Sequence, residues 1–219
     1  MKKVIIVIIA VGTLLTSCNN NGKKAETKNA EKVELVKNNK TQIYQTVKST
    51  SNLDWRASHL GGMQKRFGKI YLKEADFLVN NGELTNATVT INMASLTVEN
   101  FPEGAEEIKK LTGHLQSADF FNIEKYPTSK FELTGLQNTT GQYNAKLTGN
   151  LTILNVTKSI TFNANVNVSE NEVSISSEDF SVNRTDWGLS YNTEGTAGVP
   201  VDYLIASDIG FTINTTVTK

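Results

Sequence analysis

Alternation of apolar and polar residues is the feature of this 219-residue sequence that most restricts its fold. In residues 160–168 every second residue is apolar, and the residues between them are Thr or Asn. A period of two with many β-branched residues places successive side chains on opposite faces of a β-strand. The same alternation recurs at residues 88–93, 146–153 and 209–213. The chain is therefore predicted to consist mainly of strands with one apolar and one polar face.

Short turn signals separate these strands. They are Asn80-Asn81-Gly82, Thr140-Gly141 and Glu170-Asn171, and each contains Gly or Asn. Strands joined by tight turns favour an all-β, meandering antiparallel sheet, closed as a barrel or folded as a sandwich. No internal repeat of fixed period is visible in the sequence, which disfavours a propeller or a solenoid.

One stretch departs from the alternation. After Phe101-Pro102-Glu103, apolar residues recur with the spacing of a helix face, at Ala105, Ile108, Leu111 and Leu115. Acidic residues at its start and lysines near its end suit the helix dipole. One short helix is expected from about residue 103 to residue 111, with Leu115 in phase for a further turn.

The first 17 residues have the pattern of a signal peptide. Lys2 and Lys3 precede the run Val4–Leu15, which is too short to span a bilayer as a helix. The four residues that end at Cys18 resemble a bacterial lipobox, in which the cysteine is lipidated. Residues 1–17 are therefore predicted to be removed and Cys18 to carry a lipid anchor. An ordinary signal peptide with a leftover cysteine is the alternative.

The polar composition of the next segment is typical of a linker. Residues 18–40 are expected to form the lipidated Cys18 and a flexible tether, with a short amphipathic helix near Ala30–Val36 as the alternative. Residues 41–219 suit a single domain. The expected location is the bacterial cell envelope, on the outer membrane facing the periplasm. Because Cys18 is the only cysteine, no internal disulfide stabilises the fold.

The charge balance argues against one large class of partner. Without Lys2 and Lys3 the chain has 20 basic and 22 acidic residues, a net charge of −2. No basic face is implied, so binding to nucleic acid is not expected.

Residue patterns typical of catalysis or metal binding are few. His59 and His114 are the only histidines, and neither has a second His, Cys or acid at ligand spacing. A structural role is expected for each, with a shared metal site as the alternative. No nucleophile elbow, phosphate loop or dinucleotide fingerprint occurs. Neither enzymatic activity nor a cofactor is expected; the competing hypothesis is an enzyme that uses His59, His114 or Arg184 at a barrel mouth.

The segment Asn183–Gly188 combines an arginine, an aspartate and a tryptophan. Such a set can bind an anionic head group. The alternative is a corner at the end of a strand, with Arg184 paired to a carboxylate and Trp187 packed in the core. Trp55 is interpreted in the same way, as a residue of the core or of a cavity wall.

Several blocks of the chain resemble those of the YceI-like family of exported bacterial proteins. His114–Phe121 is similar to the family's H-L-x-S-x-D-F-F block. Glu124–Pro127, followed by Phe131, is similar to its x-K-Y-P-x-x-x-F continuation. Residues 147–158 are similar to its G-x-L-T-I-x-G-V-T-K block. The resemblance begins near Val47 and continues to the C-terminus.

Two positions depart from the family pattern. Asn155 stands where the family usually has glycine, a change that a left-handed turn tolerates. Asn183–Gly188 resembles the block D-R-T-x-W/F-G, with Asn183 in place of the usual acid. This replacement puts a charged role for position 183 in doubt.

The resemblance implies both a fold and a function. The fold is an extended antiparallel, lipocalin-like β-barrel with one short helix, whose apolar channel holds a polyisoprenoid chain. The first expectation is a lipid-anchored envelope protein that carries or sequesters a polyisoprenoid, an isoprenoid quinone or a similar apolar chain, with a quinone-related or stress-related role. A homodimer is also implied. The alternative is a non-catalytic protein-interaction module whose barrel is filled by its own side chains.

Strand parity and aromatic positions select the candidate ligand-binding residues. The inward-facing candidates are Met93, Leu151, Ile153, Phe162 and Phe211, and the aromatic candidates near the barrel ends are Trp55, Phe120, Phe121 and Trp187. If the segment around residues 120 and 121 is extended, its two phenylalanines point to opposite sides. One would then enter the barrel, and the other would pack beneath the helix.

Overall fold

The structure, a computed structural model, describes residues 22–219. The predicted signal peptide and Cys18 lie outside these residues. The elements are β1 (Lys23–Lys24), β2 (Glu26–Asn29), β3 (Gln42–Tyr44), β4 (Thr46–Val47), β5 (Asn52–Ala57), β6 (Arg66–Asn80), β7 (Glu83–Asn92), α1 (Glu106–Gln116), β8 (Thr128–Asn138), β9 (Ala145–Ile153), β10 (Val156–Val168), β11 (Glu172–Ser177), β12 (Phe180–Asn183) and β13 (Asp208–Thr218).

Eight strands of the described chain close an antiparallel barrel. Each strand from β5 to β11 pairs with the next, β11 pairs with β13, and β13 returns to β5. The closing pair sets Phe211 opposite Trp55 and Ile213 opposite Leu53. Closure removes the two exposed edges of an open sheet. The prediction of an all-β, lipocalin-like antiparallel barrel is confirmed, and the sandwich is excluded.

Tight turns form at the predicted signals Asn80-Asn81-Gly82 and Glu170-Asn171 and also at Leu154-Asn155, whereas Thr140-Gly141 lies in the longer loop 139–144. Asn81 and Gly82 connect β6 to β7 with φ of 54° and 81°, and Leu154 and Asn155 connect β9 to β10 with φ of 49° and 64°. Two consecutive left-handed residues give a hairpin turn whose twist matches that of the flanking strands. Asn155 therefore adopts the backbone conformation that the family's glycine reaches without strain.

Helix α1 covers one end of the barrel and lies close to its predicted position. It begins three residues later than expected, at Glu106, because a turn in which the N–H of Ala105 donates to Pro102 precedes it. It ends at Gln116, so the further turn that includes Leu115 is formed. Within residues 22–219, no helix has both the length and the hydropathy needed to cross a membrane.

The apolar face of the strands forms the core, as the alternation predicts. A large cluster fills the barrel around Phe77, Leu147 and Phe162. A smaller cluster around Trp55 and Met93 packs against the apolar side of α1. Apolar side chains therefore fill the interior of the barrel along its length, and α1 covers one end of it.

The prediction of a flexible tether at residues 18–40 is wrong for residues 23–29, which contain β1 and β2. β1 pairs with β12 and β2 pairs with β10, so this segment fills a gap between those two strands. The gap exists because β11 accompanies β10 only along Ala164–Val168. Unpaired backbone groups along such a gap need partners, which a polar segment can supply, and Ala25 adds a buried side chain. The alternative helix near Ala30–Val36 is not formed.

Residues 22–36 are called the strap in the following sections. Three asparagines on the outer face of the barrel bind the part of the strap that follows β2. Asn150 accepts a hydrogen bond from the N–H of Glu31 (2.8 Å) and donates one to its carbonyl (2.7 Å). Asn86 accepts from the N–H of Val36 (2.9 Å), and Asn80 donates to the carbonyl of Val36 (2.9 Å). All three asparagines are buried although they face outward, because the strap covers them.

Candidate functional site

The barrel opens beside α1 into a cavity of about 250 Å³, called the mouth cavity below. Its walls come from residues 55–66, from the end of α1 and the following turn at 111–120, and from the loop at 191–205. Aromatic and aliphatic side chains dominate the walls, and a few polar groups stand among them. This composition is typical of small-molecule sites, whose volumes begin at roughly 300 Å³.

Three smaller, largely apolar cavities continue from the mouth cavity into the barrel. The upper, middle and lower inner cavities have volumes of about 50, 70 and 50 Å³. Neighbouring cavities share walls: Ala57 and Phe120 belong to the mouth and upper cavities, Phe121 and Phe211 to the upper and middle ones, and Phe162 to the middle and lower ones. The four cavities thus form a row that layers of side chains divide.

Eight of the nine predicted ligand-binding residues line this row. They are Trp55 and Phe120 (mouth and upper cavities), Phe121 and Phe211 (upper and middle), Met93, Leu151 and Ile153 (middle), and Phe162 (middle and lower). Trp187 lines none of the four cavities; it is fully buried and donates from Nε1 to the carbonyl of Leu151 at 2.9 Å. Contact between these residues and a ligand stays a prediction.

Phe120 and Phe121 do not lie on opposite sides of an extended segment. Residues 117–126 form consecutive turns, in which the N–H of Phe120 donates to Ser117 and that of Phe121 to Leu115. Both rings therefore line the upper inner cavity. The extended backbone, on which the expectation of opposite directions depended, is not formed. Phe121 nevertheless packs in the cluster that contacts α1.

His114 belongs to an aromatic cluster at the mouth. Its ring meets those of Phe120 and Tyr191 edge-on, with centroid separations of 5.0 and 4.8 Å. Its Nε2 lies 3.1 Å from a carboxylate oxygen of Asp119. Because α1 ends two residues later, His114 joins the helix end to the loop that carries Tyr191.

His59 joins two other segments of the mouth. Its Nδ1 lies 2.5 Å from the carbonyl oxygen of Asp202, and since a carbonyl only accepts, Nδ1 carries the hydrogen. The fold thus brings His59 and His114 to one cavity. Across residues 22–219, no three His, Cys, Asp or Glu side chains come together as a metal site would require. Both histidines form contacts that join separate segments of the mouth.

The pairing of Arg184 with a carboxylate, suggested as an alternative from the sequence, is wrong. No carboxylate of the described residues pairs with it; its guanidinium instead donates to four backbone carbonyls, those of Leu189, Tyr191, Ile205 and Ala206, at 2.5–3.1 Å. The side chain is 2% exposed, and burial lowers its pKa to about 10, so it stays charged at neutral pH. Carbonyl oxygens replace the carboxylate because the loop after β12 folds around the guanidinium.

The four carbonyls that Arg184 binds belong to the loop that forms one wall of the mouth. Tyr191 and Ile205 both line the mouth cavity, and Arg184 itself borders the upper inner cavity. Asn183, which replaces the family's acid, accepts hydrogen bonds from the N–H and the hydroxyl of Thr185. Arg184 thus positions the wall of the site.

Sequence reasoning missed several wall residues of the row. For Ile91 and Ile213 the signal was present, since they share the strand parity of the predicted Met93 and Phe211. Arg66, Tyr203 and Ile205 belong to the mouth. Tyr203 and Ile205 come from a loop without a periodic pattern, and Arg66 is the first residue of β6, so no sequence signal placed these three beside the cavity.

Comparison with known proteins identifies relatives of this barrel. A UPF0312 protein of Pseudomonas putida (strain W619) is 36% identical over 121 residues, which cover 52% of this chain and 56% of the relative. A UPF0312 protein of Azotobacter vinelandii is 32% identical over 108 residues, covering 49% and 52%. The chain spans about half the length of the curated relatives that it matches.

Two solved structures share the fold. BcnA of Burkholderia cenocepacia has a TM-score of 0.56 at 15% identity and covers 77% of this chain and 96% of its own. A polyisoprenoid-binding domain from Saccharophagus degradans has a TM-score of 0.55 at 12% identity, with coverages of 81% and 99%. The sequence model of the YceI-like domain matches residues 44–217. Because that match covers most of the chain, the protein belongs to the YceI-like family.

Proposed function

We propose that the protein binds a polyisoprenoid, an isoprenoid quinone or a similar apolar chain inside its barrel, and carries or sequesters it. The observation that supports this function best is the row of largely apolar cavities that leads from the mouth into the barrel. A domain of the same fold from Saccharophagus degradans is described as polyisoprenoid-binding, which supports the same class of ligand.

Burial of apolar carbon would supply the affinity. An isoprene unit has five carbons, so its burial contributes roughly 3–4 kcal/mol, and ordering a flexible chain takes back part of this. The chain would occupy the inner cavities, and its polar end would stay in the mouth cavity, where Arg66, His59 and His114 stand. Binding of this kind requires only that the cavity walls position the chain and exclude water, so no catalytic group is needed.

The inner cavities must widen for a long chain to fit. Each holds only 50–70 Å³, and the rings that divide them, including Phe121 and Phe211, are partly buried. Rotation of these rings about χ1 would merge the cavities without changing the strand pairing. Ligand binding is therefore expected to rearrange the shared walls.

An envelope location completes the proposal. Lipidation of Cys18 would anchor the protein to the outer membrane, facing the periplasm, since several buried acyl chains hold durably. A role linked to quinones or to stress, and a homodimeric form, belong to the same proposal and rest on the family resemblance.

Native mass spectrometry of protein purified without detergent extraction tests the binding. The expected spectrum shows the protein with one additional lipid mass, which organic extraction removes and tandem fragmentation assigns to a prenyl chain. If repeated preparations carried no lipid, and the extracted protein also failed to bind an added prenyl alcohol, the proposed function would be wrong.

The small inner cavities also favour a second candidate, a protein-interaction module with a barrel filled by its own side chains. The two candidates differ in one measurement. A filled barrel would not respond to geranylgeraniol, whereas a lipid-binding barrel would show shifts of the inner methyl resonances of Leu151 and Ile153 in its NMR spectrum on titration.

A further inference from the structure

Three exposed apolar side chains stand at the edge of the mouth cavity. Met63, Val201 and Tyr203 are 46%, 63% and 64% exposed, and Tyr203 also lines the cavity itself. These three residues are called the apolar rim. Large side chains of this kind are costly to leave in water at several adjacent points, and such patches commonly mark interaction surfaces.

The rim is built from two loops that the structure fastens together. The N–H of Leu60 donates to the carbonyl of Leu204 at 2.8 Å, and His59 bonds to the carbonyl of Asp202. His59 also forms an isolated β-bridge with Ile205. The loop that carries Met63 and the loop that carries Val201 and Tyr203 are therefore held side by side at the opening.

We propose that the apolar rim docks onto the surface of a lipid bilayer, so that the mouth cavity faces the lipid from which an apolar chain would be taken. This inference rests on the proposed binding of an apolar chain. Aliphatic side chains insert into the boundary between head groups and acyl chains, and tyrosine suits the same layer with its ring buried and its hydroxyl wet. A chain that leaves the bilayer at this point avoids water on its way to the cavity.

The start of the described chain supports a bilayer as the partner of the rim. Lys23 pairs with Phe180, which lines the middle inner cavity, so the chain joins the barrel wall below the mouth. Gly22 follows Cys18 by four residue steps, which span at most about 14 Å. An anchor at Cys18 would therefore keep the whole barrel close to a membrane surface.

Charge does not drive the proposed docking. Lys65 and Arg66 follow Met63, but Asp202 lies between the two other rim residues and Glu194 lies in the neighbouring loop. The charges balance, so the apolar side chains must provide the attraction. Docking is therefore expected on uncharged as well as anionic bilayers, with little dependence on salt.

Flotation with vesicles tests the rim. The protein used is the chain from Asn19, which keeps every described residue and lacks both the apolar leader and the thiol. The rim variant is Met63→Ser with Val201→Ser. The matched control is Leu35→Ser with Val36→Ser, two exposed strap residues (70% and 49%) away from the mouth. Phosphatidylcholine vesicles, alone and with phosphatidylglycerol, serve as the bilayer.

The expected result is partitioning of the parent and the control onto both vesicles, and a partition coefficient about tenfold lower for the rim variant. Circular dichroism melts confirm that all three proteins fold. The inference is overturned if the parent does not float, if the rim variant floats as well as the parent, or if the control falls equally. Native mass spectra of the same preparations separate the docking of the rim from the proposed lipid binding. If no lipid is bound but flotation is intact, only the proposed lipid binding is contradicted.

Discussion

At the scale of single residues, Arg184 shows how a buried charge organises a binding site. Its guanidinium has a fixed planar set of donors, and four of its hydrogen bonds reach carbonyls of the segment 189–206. Charged donors bind carbonyls more strongly than neutral ones do, and burial excludes competing water. The wall that carries Tyr191 and Ile205 therefore depends on one side chain that need not touch a ligand.

Replacing Arg184 with lysine should be costly although the charge is kept. An ammonium group has three donors on one atom and cannot reach four carbonyls, so at least one buried acceptor loses its partner. We expect Arg184→Lys to lower the free energy of unfolding by about 3 kcal/mol, measured by urea titration. Arg66→Lys is the control, since its bonds to Gln64 and Lys65 are exposed, and it should change stability by less than about 0.5 kcal/mol. Equal losses in both variants would contradict this role.

At the scale of elements, the strap completes the barrel wall from outside the family domain. The family match begins at residue 44, whereas β1 and β2 lie at residues 23–29 and fill the gap between β12 and β10. Asn86 and Asn150 then bind the strap backbone through both the oxygen and the nitrogen of their amides. A segment without apolar periodicity is thus ordered by backbone pairing and by asparagine side chains.

Removal of these asparagine amides should loosen the strap without opening the rest of the barrel. Asn86→Ala with Asn150→Ala deletes four hydrogen bonds, and because the strap backbone can reach water, the expected loss is about 2 kcal/mol. Hydrogen exchange should become faster at residues 26–36, while β6 to β9 keep their protection. Asn214→Ala, at an exposed position on β13, should leave strap exchange unchanged. Unchanged exchange in the double variant would show that the strand pairing alone holds the strap.

At the scale of the whole molecule, the mouth cavity is the wide part of a row that narrows inside the barrel. Its volume is about 250 Å³, against 50–70 Å³ for each inner cavity, and Ala57 lies in the wall that the mouth and upper cavities share. A chain that enters from the mouth must pass this wall. A small residue at this point therefore keeps the passage open.

A large side chain at position 57 should block the proposed ligand. A ligand at a hundred times its dissociation constant stabilises the folded state by about 2.7 kcal/mol, so geranylgeraniol should raise the melting temperature of the parent. Ala57→Phe should abolish this shift because the new ring occupies the passage. Ala94→Phe, at an exposed position after β7, should keep it. A full shift in Ala57→Phe would mean that the chain binds elsewhere or enters by another route.

Strand faces could be predicted from the sequence because they follow a local rule. Leu151, Ile153 and Phe162 face the cavities as their parity predicts, and α1 lies near its expected span. The same reasoning failed for Phe120 and Phe121, where consecutive turns replace the extended backbone that parity assumes. Local patterns predict the direction of a side chain only where the local backbone is regular.

An antiparallel barrel with an apolar interior and one short helix could be predicted from the amino-acid sequence alone. The patterns used for this prediction are the alternation with period two, the tight-turn residues and the family blocks. Each depends on neighbouring residues and can be recognised without knowledge of the fold. The folded structure was needed to show how Arg66, His114 and Tyr203 meet at one mouth, why carbonyls surround Arg184, and with which strands the strap pairs. These contacts join residues far apart in the chain, so their partners exist only after the barrel has closed.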